Sequence, residues 1–442
     1  MRIIITNHGR KLEERPIAPA AGPAPRGPVI ALTDREDQEM LGFGAALTDS
    51  ACVMLNRMDP EERDALLDEV YSPEKGNFSV ARICVGSSDY AEYVYDFAPV
   101  KDDMEMEHFD ASHDDINILP VLRKVREINP DLYIFSSPWS PPGWMKTSRQ
   151  MQGGWMRDKY VEAYALYYQK FLQHYLRAGV RINALTPQNE SETDQTSSMP
   201  ACYWHPDIEM HFAKVMRRLL DENEFADVKI WLMDHNFLMW HRVVYEMDDP
   251  DTKQAAAGVA WHPYEGHPEQ ISQFRALHPE CENHWTEGGT IPGTYDFRNP
   301  GRFDRRWAAY GESFCEAINN GVQSITVWNL ALDEEGHPCT GPFECRGTIE
   351  ISRDGKSVRR SQEYDSLLHL TKYVKRGARR ILLEEEALPK NFAAAAFRNP
   401  DGTKVVLISN SEDFDSGLNL KVDGQVIPLW ILRQSINTVV LD

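Results

Sequence analysis

Between Leu41 and Leu370 the chain alternates short, continuous apolar runs with segments whose apolar positions recur every three or four residues. The apolar runs are GFGAALT, SVARICVGSSD, YIFSSPWSPP, INALTPQNE, KIWLMDHN, GVAWHPY, NHWTEGG and SITVWNLALD. Most are apolar at the front and polar or aromatic at the back. Continuous apolar strands separated by helices belong to a parallel sheet buried on both faces. The helical segments carry their own boundaries. Asp59-Pro60-Glu61-Glu62 supplies an N-cap, a first-turn proline and an acid for a helix through Tyr71. Asp158 opens a second helix, with Val161, Tyr164, Ala165, Tyr168, Phe171, Leu172 and Tyr175 on one face, closing near Gly179. Pro206 begins a third, and Arg302 to Asn320 forms a fourth, ending at Gly321. Eight strand–helix units predict a closed (β/α)8 TIM barrel, with its active site at the carboxyl ends of the strands. The rival is a doubly wound open sheet, but no G-x-G-x-x-G turn follows any strand.

Outside this region the pattern changes. RIIIT near the start is a short strand, and the five prolines between Pro16 and Pro28 exclude a helix and favour extended chain. After Leu370 the runs FAAAAF, TKVVLIS, LNLKV and NTVVLD alternate with turns at Pro400-Asp401-Gly402 and Asp423-Gly424, the pattern of a small β-sandwich. Four alanines in FAAAAF favour helix, but the NPDG turn and a clear strand follow at hairpin distance. The expected organisation is therefore residues 1–40 contributing N-terminal strands to the sandwich, 41–370 forming the barrel and 371–442 completing the sandwich.

Composition narrows the partners. A formal net charge of −21 repels phosphate backbones and anionic membranes, which argues against nucleic acid. The four-residue apolar stretch Ile3 to Thr6 is too short for a secretory signal, and no segment reaches membrane-spanning length, so membrane insertion is not expected and a cytoplasmic location is. The seven cysteines are scattered without a C-x-x-C pair and read as reduced, mostly buried thiols. Cys339 and Cys345 are near enough in sequence to bridge, and sequence leaves that open.

Candidate chemistry lies at the strand ends. Glu190 closes the fourth apolar run in LTPQNE, and Glu287 closes the seventh in HWTEGG, placing two carboxyls across one barrel mouth. Such a pair suits glycoside hydrolysis, one carboxyl protonating the leaving oxygen while the other attacks or activates water. Trp139, Trp144, Trp261, Trp285 and Trp328 also lie at or near strand ends. Trp144 and Trp261 read as rim packing, whereas flat aromatic faces elsewhere suit the C–H faces of a sugar ring. Arg82, Asp89, Asn189, His262 and Tyr264 are polar residues at strand ends, placed to hold sugar hydroxyls and orient the two acids. Asp234, His235, His262, His267 and His284 lack any H-E-x-x-H-type spacing, so no metal site is expected. No G-x-S-x-G is present for a nucleophilic serine.

In order, GFGAALTDSA, RICVGSSDY, SSPWSPPGWMKTS, LTPQNE, AWHPY, HWTEGG and VWNLALD resemble the blocks of the glucosylceramidase-like family, glycoside hydrolase family thirty. The resemblance implies a barrel plus a β-sandwich built from both chain ends. It implies a retaining β-glycosidase with Glu190 as acid/base and Glu287 as nucleophile. Asn189 would bond the sugar 2-hydroxyl, Arg82 and Tyr264 would hold the Glu287 carboxylate, and His262 would support the site. Asp89 and Trp139 would contact hydroxyls of the cleaved sugar, and Trp328 would wall it. On this reading Arg82 keeps the pKa of Glu287 low, while burial and the charge on Glu287 raise that of Glu190. No cofactor or metal is implied.

Two departures stand out. The family's usual proline after the acid/base is Ser191, followed by Glu192, and the loop after the eighth run reads GHPCTGPFECRGT. The expected activity is exo-acting β-glucosidase of glucosylceramidase type, on a small β-glycoside or an oligosaccharide. An endo-β-1,6-glucanase or a β-xylosidase of the same family is the alternative within the enzyme class, and a non-catalytic carbohydrate-binding protein the alternative outside it.

Overall fold

A computed structural model describes residues 1–17, 27–193, 199–289, 306–384 and 392–442 of the 442-residue chain. The described residues fall into two compact units, one drawn from Met1–Phe43, Pro292–Ile325 and Arg360–Asp442, the other from Gly44–Ile291 and Thr326–Arg359.

All eight apolar runs become strands of one closed barrel, in chain order Gly42–Ala46, Val80–Cys84, Tyr133–Ser137, Ala184–Leu185, Lys229–Asn236, Gly258–His262, Glu282–Trp285 and Ser324–Asn329. Neighbours pair in parallel, as between Val80–Cys84 and Tyr133–Ser137. Gly44 meets the adjacent strand so closely that a β-carbon there would stand 1.8 Å from the Val80 carbonyl oxygen. Only glycine permits that approach.

The helices follow their local signals. Asp59 accepts from the backbone N–H of Glu61 and Glu62 and starts Pro60–Tyr71. Pro206 opens Pro206–Asp221 behind a His205 cap. The helix expected from Asp158 begins instead with a 3-10 turn, Asp158–Tyr160, before Val161–Arg177, because Tyr160 N–H closes a tight bond to the Arg157 carbonyl. Gly179 ends it with φ +85°. The fourth helix is described over Arg306–Asn319, and its expected start at Arg302 lies outside the described residues.

In the other unit a nine-stranded sheet runs in the order Gln425–Ile431, Ser416–Val422, Val29–Glu39, Arg379–Leu383, Phe392–Arg398, Lys404–Asn410, Ser435–Leu441, Arg2–Asn7, Arg10–Pro16. Leu418, Leu420, Ile427 and Leu429 from one end share a single apolar cluster with Ile3, Ile5, Val406, Ile408 and Val439 from the other. The sheet thus folds over its own core as a sandwich. The RIIIT strand pairs antiparallel with Ser435–Leu441, which joins the two chain ends. FAAAAF is a strand despite its alanines. Ala394 and Ala396 face the sandwich core, while the backbone carbonyl of Ala394 accepts from Asn319 of the helix Arg306–Asn319, which packs on this strand. Small side chains allow that approach, and tertiary packing overrides propensity.

Among the described strands of this sheet, four escape the hydrophobic pattern: Arg10–Pro16, Val29–Glu39, Arg379–Leu383 and Gln425–Ile431. Arg10–Pro16 and Gln425–Ile431 are the two edges of the sheet, where charge and Pro428 are tolerated and alternation is weak.

Candidate active site

The polar ends of the barrel strands converge on Asp234, at the end of the fifth strand. Its two oxygens stand 2.7 Å from the hydroxyls of Ser137 and Thr186, 2.6 Å from that of Thr286, 2.8 Å from Arg82 Nη2 and 3.0 Å from His262 Nε2. Those partners come from the second, third, fourth, sixth and seventh strands. Five donors hold the fully buried carboxyl ionised. Burial alone would raise its pKa, but Arg82 and His262 drive it far below the usual range. A register shift between Met233 and His235 marks a bulge at this point, and Met233 and Asp234 take left-handed backbone, with φ +73° and +47°. The bulge turns the carboxylate toward its partners.

Around this hub sit the two candidate acids. Fully buried Arg82 reaches Glu287 Oε2 at 2.5 Å through Nη1 and Asn189 Oδ1 at 2.7 Å through Nη2. Tyr264 donates its hydroxyl to Glu287 Oε1 at 3.0 Å. Both Glu287 oxygens are thereby oriented. Glu190 sits across from it with φ +47°, and its N–H donates to the Asp234 carbonyl at 2.8 Å. Glu190 Oε1 lies 3.3 Å from His262 Nδ1. One ligand-type atom from each of Glu190, His262 and Glu287 falls within 4.8 Å of the others.

The pocket wall is aromatic. Trp139 and Trp328 stack with ring centroids 4.8 Å apart, and the Arg82 guanidinium lies 4.7 Å from the Trp139 centroid. The Arg82 contact fixes the amide oxygen of Asn189, and its NH2 makes no hydrogen bond among the described residues. Asp89 is buried beside this wall. Thr340 bonds its backbone carbonyl at 2.7 Å, and its side-chain Oδ1 has no hydrogen-bond partner among the described residues. Every predicted site residue (Arg82, Asp89, Trp139, Asn189, Glu190, His262, Tyr264, Glu287 and Trp328) belongs to this one constellation or its wall. Trp144 and Trp261 do not join it. Their indoles bond the Ala98 carbonyl and Asn283 instead.

The proton balance differs from the expected one. Burial favours the neutral form of both acids. Around Glu190 this is outweighed by the hydrogen bond from His262 and the charges of His235 and His262, so its pKa is lowered. Around Glu287 burial prevails over His262 and Arg82, and the charge of Glu190 adds to it, so its pKa is raised. The expectation that Arg82 would depress Glu287 while Glu190 rose is therefore reversed. The reason is His262. Burial disfavours its charge, yet Glu287, Asp234 and Glu190 outweigh this and lift it to about 9. Burial and then Glu287 also keep the Tyr264 phenol protonated. Asp89 is pushed well up by burial, then by Glu287 and Glu190.

Glu190, His262 and Glu287 have the spacing of a metal-ligand triad, but Glu287 is already held by Arg82 and Tyr264, and Glu190 by His262. Of the other metal-type residues, Asp234 and His235 belong to the site, with His235 Nε2 3.4 Å from the Thr193 hydroxyl beside Glu190. His267 is exposed, and His284 stacks on Trp231 at 3.8 Å. Sequence reasoning missed the central place of Asp234. Its only signal was an acid in the polar tail of KIWLMDHN, and the bulge that aims it has no local signature. The seven cysteines are free thiols, Cys339 and Cys345 included.

A (β/α)8 barrel with paired carboxyls at its mouth and an aromatic wall defines a glycoside hydrolase. Residues 40–342 match the glycosyl hydrolase family 30 TIM-barrel domain and residues 377–439 the family 30 beta sandwich domain, and the chain belongs to that family. An endo-1,6-beta-D-glucanase of Neurospora crassa is 28% identical over 91% of this chain and 85% of its own length. The lysosomal acid glucosylceramidase of Mus musculus is 24% identical, over 94% and 83%. Among solved structures, the endo-beta1,6-glucanase BT3312 superposes with TM-score 0.88 at 27% identity, over 99% of this chain and 98% of that one. SrfJ from Salmonella typhimurium has the same fold, with TM-score 0.93 at 24% identity over 100% and 99%.

Proposed function

We propose that the protein hydrolyses β-glucosides with retention, by double displacement through Glu287 and Glu190. The observation that carries this reading is the spacing of the two acids, with one oxygen of each within 4.8 Å of the other. Retaining enzymes hold their carboxyls roughly 5–5.5 Å apart and inverting ones roughly 6.5–9.5 Å, leaving room for water. The small gap supports direct attack by one carboxylate.

In the first step a Glu287 oxygen bonds the anomeric carbon as the bond to the aglycone oxygen breaks, and the proton held between Glu190 and His262 passes to that oxygen through Glu190. Formation of the ester removes the negative charge of Glu287. In the second step Glu190 takes a proton from water, the water oxygen bonds the anomeric carbon, and the bond to Glu287 breaks. Arg82 and Tyr264 aim the nucleophile in both steps. The NH2 of Asn189 is placed for the sugar 2-hydroxyl, a contact that strengthens in the transition state. Asp89 and the Trp139–Trp328 wall take the remaining hydroxyls and the ring face.

A glucosyl unit is favoured because the glucanase and glucosylceramidase relatives alike are named for glucosyl bonds. The first reading of the leaving side is an exo-acting β-glucosidase of glucosylceramidase type. The second, endo-β-1,6-glucanase, is favoured by three glucanases among the relatives and solved structures. Chain-length analysis of products from β-1,6-linked oligosaccharides separates them. Release of glucose alone supports the exo reading, and early internal fragments the endo one. For the mechanism, Glu287→Gln is expected to abolish turnover of an aryl β-glucoside, and Glu190→Ala to be rescued by azide, yielding the β-glucosyl azide. Wild-type rates in both variants, or an α-azide, would overturn it. The seven free thiols fit a reducing, cytoplasmic compartment.

A further inference from the structure

Glu190 is followed by Ser191 and Glu192 where the family pattern has proline, and both residues have partners. The Ser191 hydroxyl donates to the Met233 carbonyl at 3.1 Å, and the Ser191 carbonyl accepts from Trp204 N–H at 2.8 Å. Glu192 Oε1 accepts from Arg242 Nη1 at 3.1 Å. Arg242 is itself buried, and its Nη2 reaches fully buried Glu209 at 2.7 Å. The other oxygen of Glu209 accepts from Met233 N–H at 2.7 Å. Met233 begins the bulge that aims Asp234, so its N–H is held by Glu209 and its carbonyl by Ser191. A bulge leaves backbone groups without ladder partners, and here side chains capture them.

These contacts close a loop: Glu190 to Ser191 and Glu192, on to Arg242, to Glu209, to Met233, and through the Asp234 carbonyl back to Glu190 N–H. Two strained stretches, Glu190 with φ +47° and Met233–Asp234 with φ +73° and +47°, face each other inside it. Strained backbone of this kind persists only where its surroundings over-determine it. A third carboxyl, Glu246, lies 2.9 Å from Arg242 Nε. Burial and then Glu209 push the pKa of that carboxyl well up.

We propose that Ser191, Glu192, Glu209 and Arg242 are positioning residues that hold the Glu190 carboxyl in register with His262 and the leaving oxygen, with Arg242 as the keystone. The inference rests on Glu190 being the acid/base. A displaced acid fails selectively, because substrates with poor leaving groups need the proton and activated ones do not.

The test compares kcat/KM on an alkyl β-glucoside and on 2,4-dinitrophenyl β-glucoside for wild type, Glu192→Gln, Arg242→Met and Glu190→Ala. Glu192→Gln and Arg242→Met are expected to lose roughly tenfold or more on the alkyl substrate while staying within about threefold of wild type on the dinitrophenyl one, a part of the roughly 10²–10⁴-fold that a general acid contributes. Equal losses on both substrates, or none, would overturn the inference. If Arg242→Met does not fold, Glu192→Gln, a change of one charge at a half-buried side chain, decides. Glu190→Ala separates the two levels of the argument. If it shows no dependence on the leaving group, the acid/base reading itself fails. If it does and the other two variants do not, only the positioning role fails.

Discussion

Nδ1 of His262 stands 3.3 Å from Oε1 of Glu190, while Nε2 of the same ring lies 3.0 Å from Asp234. The Asp234 carboxylate is ionised and can only accept, so Nε2 carries a hydrogen. The contact between His262 and Glu190 then needs one further proton, and that proton belongs to the pair. Glu190 and His262 thus share one proton, with Asp234 fixing the tautomer.

A pH dependence follows. His262 is lifted from the ordinary 6.5 to about 9. The alkaline limb of kcat/KM is therefore expected near pH 9, and His262→Asn should move it to lower pH, since Glu190 must then hold the proton unaided. The same shift affects stability. A histidine raised on folding stabilises fully below 6.5, progressively less as pH rises, and not at all above about 9. The fall in Tm across that window should be larger in wild type than in His262→Asn. Equal falls would show that the pair is not the titrating unit.

Asp234→Asn should be costly out of proportion to its size. It removes the charge that answers Arg82 in the barrel interior, and loss of one partner of a buried pair costs about 3–5 kcal/mol. Denaturant unfolding should show a destabilisation of that order. A loss below about 1 kcal/mol would mean that the hub is dispensable for the fold.

Tyr264→Phe leaves Arg82 on Glu287 but removes the donor to Oε1. A hydrogen bond to a charged group contributes about 1.5–3 kcal/mol, so kcat/KM is expected to drop on the order of tenfold or more. The direction of the acid limb is the sharper readout. Without a donor favouring its charged form, Glu287 ionises at higher pH, and the limb should move up. A limb that stays in place would exclude Glu287 as the group it reports.

Asp89 carries a buried oxygen without a hydrogen-bond partner among the described residues, in a field that disfavours its charge. Asp89→Ala should therefore hold or raise the Tm while lowering kcat/KM about 10–100-fold, the signature of a residue kept for substrate at the expense of stability. A drop in Tm with unchanged kinetics would make Asp89 structural.

The barrel was legible in the sequence because its strands are buried on both faces, so each appears as a continuous apolar run with no need of its neighbours. The edge strands Arg10–Pro16 and Gln425–Ile431 were not, since an edge bears charge or proline and loses the period that identifies a strand. Glu190 and Glu287 were legible as acids at the polar ends of apolar runs. Asp234 was not. The continuous apolar run and polar tail of KIWLMDHN do not reveal the bulge at Met233, which decides where that carboxylate points.

The sequence by itself determined the order of elements, the helix starts at Asp59 and Pro206, and the presence of acids, an arginine and tryptophans at strand ends, because hydrophobic period and capping act over a few neighbouring residues. Only the tertiary structure decided the 4.8 Å spacing within the Glu190–His262–Glu287 group, the five donors on Asp234 and the ownership of the shared proton. Those are properties of a field summed over side chains from six strands, and no local stretch of chain contains it.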